Sequence, residues 1–251
     1  MKTKLASLAI LTALMIPVAA GAADMPLKAP PPPPPPPFSW TGFYFGGEAG
    51  GAFANGTISD SLFGLSVSSN HSGFLGGGEV GYNWQTSNIV FGVEANFDWT
   101  SLSATGDGFP TRLGFLQGSA KTDWVTTVAG RLGITADRVF WGGGGGGATL
   151  FYVKGGGGWV QNSATITNLT TGASASASNN NSGWLVGGGI EWAFAQNWSA
   201  KIEYDYLGLR SFSWNSVLFP GETFTASRNI QTLKAGINYR FDWGSPVVAR
   251  Y

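Results

Sequence analysis

Residues 88–99, NIVFGVEANFDW, alternate almost without a break. Ile89, Phe91, Val93, Ala95, Phe97 and Trp99 share one face; Asn88, Gly92, Glu94, Asn96 and Asp98 share the other, and Val90 is the one apolar intruder. A period of two is the mark of a β-strand. The same alternation predicts eight strands, at about residues 40–54, 73–84, 88–100, 120–134, 148–161, 183–195, 198–212 and 228–241. Only Pro110 and Pro220 interrupt residues 38–241, both in polar stretches, so no predicted strand holds the residue that cannot donate to a ladder.

The connections alternate in length. QTS (85–87) and QN (196–197) read as tight turns, whereas the segments near 55–72, 101–119, 162–182 and 213–227 are long and polar. Short turns at one end and long loops at the other are the habit of outer-membrane barrels. The third long segment carries no charge and is expected to be a mobile loop. The connection after the fourth strand holds Gly142 to Gly147; a phosphate-cradling loop needs a following helix, and a strand follows, so it reads as a flexible insertion.

Function depends on which face of these strands meets water. The apolar faces gather their aromatics at the strand ends. Phe53, Phe74, Trp99, Trp124, Trp159, Trp184 and Tyr206 fall near the long loops; Tyr82, Trp84, Trp192, Phe194, Trp198, Tyr239 and Phe241 fall near the short turns. Two such belts match the two interfaces of a bilayer, and a soluble core has no reason to sort its rings this way. The opposite faces carry glycine, small polar residues and a charge near mid-length. That composition suits the cramped interior of a small barrel. The predicted fold is therefore all-β, an eight-stranded antiparallel up-and-down transmembrane β-barrel. It must be closed, because an open edge would leave backbone groups unsatisfied in hydrocarbon.

Composition narrows the chemistry. The chain has 251 residues, 11% of them charged, with 14 Lys and Arg against 14 Asp and Glu, so nothing points to nucleic acid. It has no Cys, which excludes thiolate catalysis, disulfides and Cys-ligated metals. The single His, His71, lies in the polar run SVSSNHSG and is expected to be a solvated loop residue. No catalytic, cofactor-binding or metal-ligating residues are assigned.

The first residues are an address. Lys2 and Lys4 precede an apolar stretch from Leu5 to Ala20, and Ala20–Ala22 form an A-x-A site, with cleavage after Ala23 as an alternative. Residues 1–22 are thus expected to be a secretory signal peptide. Residues 23–37 are a spacer whose eight prolines, Pro30 to Pro37, favour a polyproline II rod or a ligand for an envelope partner. The barrel is assigned to residues 38–241 and a tail to 242–251.

Ten ionic residues are expected to form a charge network in the lumen: Glu48, Glu79, Glu94, Arg131, Lys154, Glu191, Lys201, Glu203, Lys234 and Arg240. The carboxylates are read as partners of the bases rather than as catalytic pairs, because buried charges need compensation. Counting outward from each hairpin centre places Glu48 opposite Glu79, and Glu79 opposite Glu94. Lys234, on the last strand, is expected beside Glu48 across the seam.

The segments WTGFYFGGEAG (40–50), GGGEVGYNWQ (76–85), FGVEANFDW (91–99), KGGGGWV (154–160), GWLVGGGIEWAF (183–194), WSAKIEYDYLG (198–208) and KAGINYRF (234–241) together resemble the small outer-membrane barrel proteins of alphaproteobacteria, the porin-family or OmpA-like barrels. The likeness covers essentially residues 38–251. It implies a Gram-negative outer-membrane location, a structural or surface role in the cell envelope, and no catalytic residues to carry over. The expected partners are outer-membrane lipid and lipopolysaccharide, the barrel-assembly machinery and a surface ligand met through the loops. A small-solute diffusion porin is the alternative, although an eight-stranded barrel leaves little lumen. A lipid-modifying enzyme would require His71 and finds no partner motif around it.

Overall fold

Alternating sequences of this kind pair side by side, and here they close on themselves. The computed structural model describes residues 38–61, 64, 66–105, 109–111, 114–137, 148–215 and 223–241. The expected signal peptide, proline spacer, hexaglycine insertion and C-terminal tail lie outside the described residues. Eight long strands form the wall: β1 (Gly42–Asp60), β2 (Ser66–Thr86), β3 (Ile89–Thr100), β6 (Gly114–Asp137), β7 (Ala148–Asn168), β8 (Ser174–Ala193), β9 (Trp198–Leu209) and β11 (Thr223–Arg240). Three short ones, β4 (Ser103–Thr105), β5 (Phe109–Thr111) and β10 (Phe212–Asn215), flank them at the long-loop end. All long strands pair antiparallel in the order β1-β2-β3-β6-β7-β8-β9-β11, and β11 pairs back onto β1 from Tyr44↔Arg240 to Asp60↔Phe224. The ring is an eight-stranded antiparallel barrel without an open edge at this depth, as a spanning sheet requires.

Burial follows the parity of the sequence. Along β3, Ile89, Phe91, Val93, Phe97 and Trp99 are exposed on the outside, while Glu94, Asn96 and Asp98 are buried inside. The outer wall is otherwise built from Val80, Val128, Val153, Val186, Ile202, Leu233 and Ile237. At its two rims aromatic rings touch across strands. Trp184 and Tyr206 lie 5.3 Å apart at the long-loop rim, and Trp198 and Tyr239 lie 5.0 Å apart at the other.

The strands run further than the hydrophobic pattern indicates. β1 continues to Asp60 and β2 begins at Ser66, so most of the 55–72 segment is sheet, and His71 stands on β2 opposite Ala54 rather than in a loop. The uncharged third long segment is a hairpin: β7 extends to Asn168, β8 starts at Ser174, and Gly172 takes a φ of 75° in the turn between them. Above the bilayer both faces of a ladder are wet, so Ser, Thr and Asn satisfy either side and the two-residue hydrophobic period disappears while the backbone pairing persists. Pro110 sits in β5, which among the described residues pairs with β6 alone and so has an edge free of ladder demands.

Two local departures matter inside the barrel. β1 begins at Gly42, and Trp40, expected in the strand, instead folds into the lumen with its side chain 2% exposed. In β6 the register shifts between Thr122 and Trp124, so Asp123 is the extra residue of a bulge. Instead of pointing into the barrel, Asp123 accepts a 2.5 Å hydrogen bond from Ser163 Oγ and lies 3.3 Å from Lys121.

Candidate functional site

The inward side chains stack in three layers. At the short-turn mouth Trp40, Val90, Ala148, Leu150, Tyr152 and Ala193 form an apolar cluster, with Phe38 packed against it. The Trp40 backbone N–H donates to Gln85 Oε1 at 2.7 Å, and the Phe38 ring lies edge-on to Trp40 and 4.1 Å from the Arg240 guanidinium. This segment closes the mouth like a stopper. At the long-loop end a second apolar cluster includes Ala54, Leu75, Leu102, Val125, Val160, Leu185, Leu207 and Ile230. Above it, Arg228 donates to Asn162 Oδ1 at 2.7 Å and to Thr122 Oγ1 at 2.8 Å.

Between the two apolar layers lies the charged one, and every long strand contributes to it. β1 supplies Tyr44 and Glu48, β2 Glu79, β3 Glu94, Asn96 and Asp98, β6 Arg131, β7 Tyr152 and Lys154, β8 Glu191, β9 Ser199, Lys201, Glu203 and Asp205, and β11 Lys234 and Asn238. All of these are buried. Lys234 Nζ reaches across the seam to Glu48 at 2.8 Å and also meets Glu203 and Asp205 at 3.2 Å. Lys201 Nζ pairs with Glu79, with Glu48 at 2.9 Å and with Glu203 at 3.5 Å. Lys154 Nζ stands 2.6 Å from Glu203, 3.1 Å from Glu94 and 3.2 Å from Asp205.

Arg131 joins the opposite wall. It donates to Glu191 at 2.7 Å, to Glu94 at 3.2 Å and to the Tyr44 hydroxyl at 2.9 Å, while its guanidinium stacks 4.2 Å from the Tyr152 ring centre. Tyr44 in turn donates to Glu94 and Tyr152 to Glu203, both at 2.7 Å. Asn96 donates to both Glu48 and Glu79 at 3.0 Å, and Ser199 and Asn238 donate to Glu191 at 2.5 and 3.0 Å. Such shared ionic contacts offset part of the large cost of taking charges out of water, and removing one partner leaves the others uncompensated.

The structure thus brings nine of the ten expected residues into one cluster. Arg240 sits apart at the short-turn mouth, where it donates to the Gln196 carbonyl at 2.8 Å. The acids are also staggered rather than aligned. Glu48 faces Gly77 and Glu79 faces Asn96, because the true hairpin turns lie one residue away from the centres assumed in counting; β2 and β3 turn at Ser87–Asn88. Asp98, Asp205, Tyr44 and Tyr152 belong to the cluster and were not among the expected members. Their signal was available, since each shares inward parity with an expected charge on its own strand.

Glycines make room for this layer. Asp98 faces Gly77 and Asp205 faces Gly187 across adjacent strands, and the carboxylate lies where a Cβ of the glycine would stand. Small cavities border this layer among the described residues. One of about 10 Å³ lies between the Trp40 stopper and Glu191, and one of about 20 Å³ lies between the charged layer and the outer apolar layer. Among the described residues no group of three or more His, Asp or Glu side chains is arranged to hold a metal ion. His71 remains on the outer extension of β2, away from the cluster.

Comparison with known proteins places these features in a family. The family model described as the outer membrane protein beta-barrel domain matches residues 6–241. The 31 kDa outer-membrane immunogenic protein of Brucella melitensis biotype 1 is 33% identical over 248 residues, covering 91% of this chain and 96% of that protein. The 22 kDa outer membrane protein of Rhizobium leguminosarum bv. viciae is 34% identical over 96 residues, or 38% of this chain and 36% of its own. These relatives carry outer-membrane names and no enzymatic ones. Among solved structures, Ail, the attachment invasion locus protein of Yersinia pestis, aligns with 78% of this chain and 99% of its own at 16% identity and a TM-score of 0.37. With its match over most of the length, this chain belongs to the outer membrane protein beta-barrel family, and its closed ring of strands is an outer-membrane barrel.

Proposed function

We propose that the protein is a non-catalytic envelope barrel that presents strands and turns at the cell surface while its lumen stays shut. The observation that carries this reading is the ionic layer. All eight long strands feed it, and it is sandwiched between two apolar clusters. A solute would have to pass a leucine-rich layer, break several buried ion pairs and displace the Trp40 stopper. Aqueous porins use 16–18 strands to avoid such filling.

The outer halves of β1, β2, β6, β7 and β8 support a surface role, because they carry polar, well-paired ladder beyond the aromatic rim. The Brucella relatives are named immunogenic, which fits a surface-exposed protein. In this reading lipid and lipopolysaccharide contact the aliphatic outer wall, the assembly machinery inserts it, and any ligand is met at the outer strands. A diffusion porin is the competing reading.

Conductance of the refolded full chain in planar bilayers separates the two. The closed reading expects rare, small or no steps and no sugar-driven swelling of liposomes. Large stable steps together with swelling would replace it with a porin.

A further inference from the structure

The bases of the ionic layer are compensated more than once. Arg131 meets the carboxylates of Glu94 and Glu191, and Lys154, Lys201 and Lys234 each meet three or more. Arg228 meets none among the described residues. It is half-buried on β11 at the long-loop end of the lumen, where the apolar cluster holding Val125, Val160 and Ile230 separates it from the acids below. Its guanidinium reaches the opposite wall, but both acceptors there are neutral, Asn162 Oδ1 at 2.7 Å and Thr122 Oγ1 at 2.8 Å. Thr122 in turn donates to Asn162 Oδ1 at 3.0 Å, which fixes the pair beside the cation. A guanidinium has five N–H donors. Two are used here, and the other three have no protein acceptor among the described residues.

A cross-link from β11 to β6 and β7 needs no charge, and a neutral amide would serve. The charge is what the protein leaves uncompensated, and the surrounding walls narrow what can compensate it. Ala104, Ala120, Ala164 and Ala177 pair in one row across β4, β6, β7 and β8. Ala120 and Ala164 stand two residues beyond Thr122 and Asn162, and so share their inner face. Ala120, Ala164 and Ala177 are exposed there. The adjacent row, on the outer face, is Lys121, Ser163 and Ser178. Even in this polar extension, methyl groups line the side of Arg228 and polar groups line the other. Phe212 of β10 pairs with Ala226, on the same face as Arg228, and is 65% exposed.

We propose that Arg228 anchors an anion site open to the cell exterior, which takes a small organic carboxylate whose apolar body lies against the alanine row and Phe212. A carboxylate accepts two parallel N–H bonds from one guanidinium, a pairing both strong and directional. The ligand supplies the negative charge that Asn162 and Thr122 do not. The site lies outside the apolar cluster, so it stands whether or not the lumen conducts.

The test titrates the refolded full chain, in a zwitterionic detergent at neutral pH and constant ionic strength, with acetate, hexanoate and inorganic phosphate by isothermal titration calorimetry. Hexanoate is expected to bind saturably, one to one, and at least about tenfold tighter than acetate, because the wall covers part of its extra methylene groups. Phosphate should bind more weakly than hexanoate. Arg228→Gln should weaken hexanoate binding at least about tenfold, the loss of a charge-assisted hydrogen bond. Asn162→Asp should weaken it as much by another route, since it places a carboxylate on the guanidinium while keeping the cross-link, and it should fold even if Arg228→Gln does not. Heat-modifiable gel mobility checks both folds, and the parent and variants share the same detergent background. Absence of saturable hexanoate binding, or an affinity unchanged in folded Asn162→Asp, would overturn the site. Phosphate binding as tight as hexanoate would overturn the assignment to an organic carboxylate.

Discussion

Replacing Lys201 with Met probes the ionic layer at its most buried base. Lys201 is 1% exposed, and its Nζ pairs with Glu79, Glu48 and Glu203. At the 2.9 Å separation from Glu48, the gross attraction is about 6 kcal/mol for an effective dielectric constant of about 20. Burying the ammonium costs several kcal/mol, and Met fills nearly the same volume, so the net effect is set by what is stranded. Three carboxylates lose their shared cation in a layer already rich in acid. Breaking a buried pair from one side typically costs about 3–5 kcal/mol, and Lys201→Met is expected in that range.

Adding Glu79→Gln removes one stranded charge, so the double variant should recover about 1–2 kcal/mol of the loss, within the range found for directly contacting residues. Denaturant titration of the refolded protein in lipid vesicles, followed by the fluorescence of its 11 Trp residues, measures both. A Lys201→Met variant within about 0.5 kcal/mol of the parent would refute the reasoning, since that is the range of a surface change away from any such feature. Strict additivity of the two substitutions would refute the direct coupling.

Three further outcomes follow from other parts of the barrel. Val93 is 52% exposed on the outer wall, so Val93→Arg should cost about 2–4 kcal/mol in vesicles if it lies near the midplane, whereas Ser174→Arg at the outer start of β8 should cost almost nothing; equal costs would contradict the lipid-facing assignment. Glu94→Ala with Arg131→Ala removes the ion pair between the neighbouring strands β3 and β6 and the link to Glu191, so single-channel recordings should show larger or more frequent steps than the parent, and unchanged recordings would place the barrier in the apolar layers. Trp40→Ala opens the short-turn mouth and should cost about 3–5 kcal/mol while making small-ion leakage from vesicles faster, and a variant as tight and stable as the parent would mean the stopper is dispensable.

Much of this architecture was legible along the chain, and the reason is geometric. A two-residue period assigns each side chain to one face whatever its partners are, so Phe91 and Val93 could be placed outward and Glu94 inward without knowing the neighbouring strand. The aromatic belts were equally local, because strand ends are marked by the turns beside them. The inward parity of Glu48, Arg131, Lys154 and Lys234 followed in the same way. Where both faces are wet, as at 55–60 and 174–182, the period vanished and the strands were cut short, although their ladders are continuous.

Tertiary structure decided what parity cannot encode. Cross-strand register depends on where each turn closes, and a one-residue change in a hairpin centre moves an acid by two positions on its partner; that is why Glu48 meets Gly77 and not Glu79. The contacts of Lys201 with Glu48 and Glu79, on strands far apart in sequence, exist only because the ring closes and its diameter lets side chains from opposite walls touch. The inward fold of Trp40 and the bulge at Asp123 are likewise decided only in the assembled barrel. A linear pattern determines which way a side chain points, and only the closed barrel determines what it meets there.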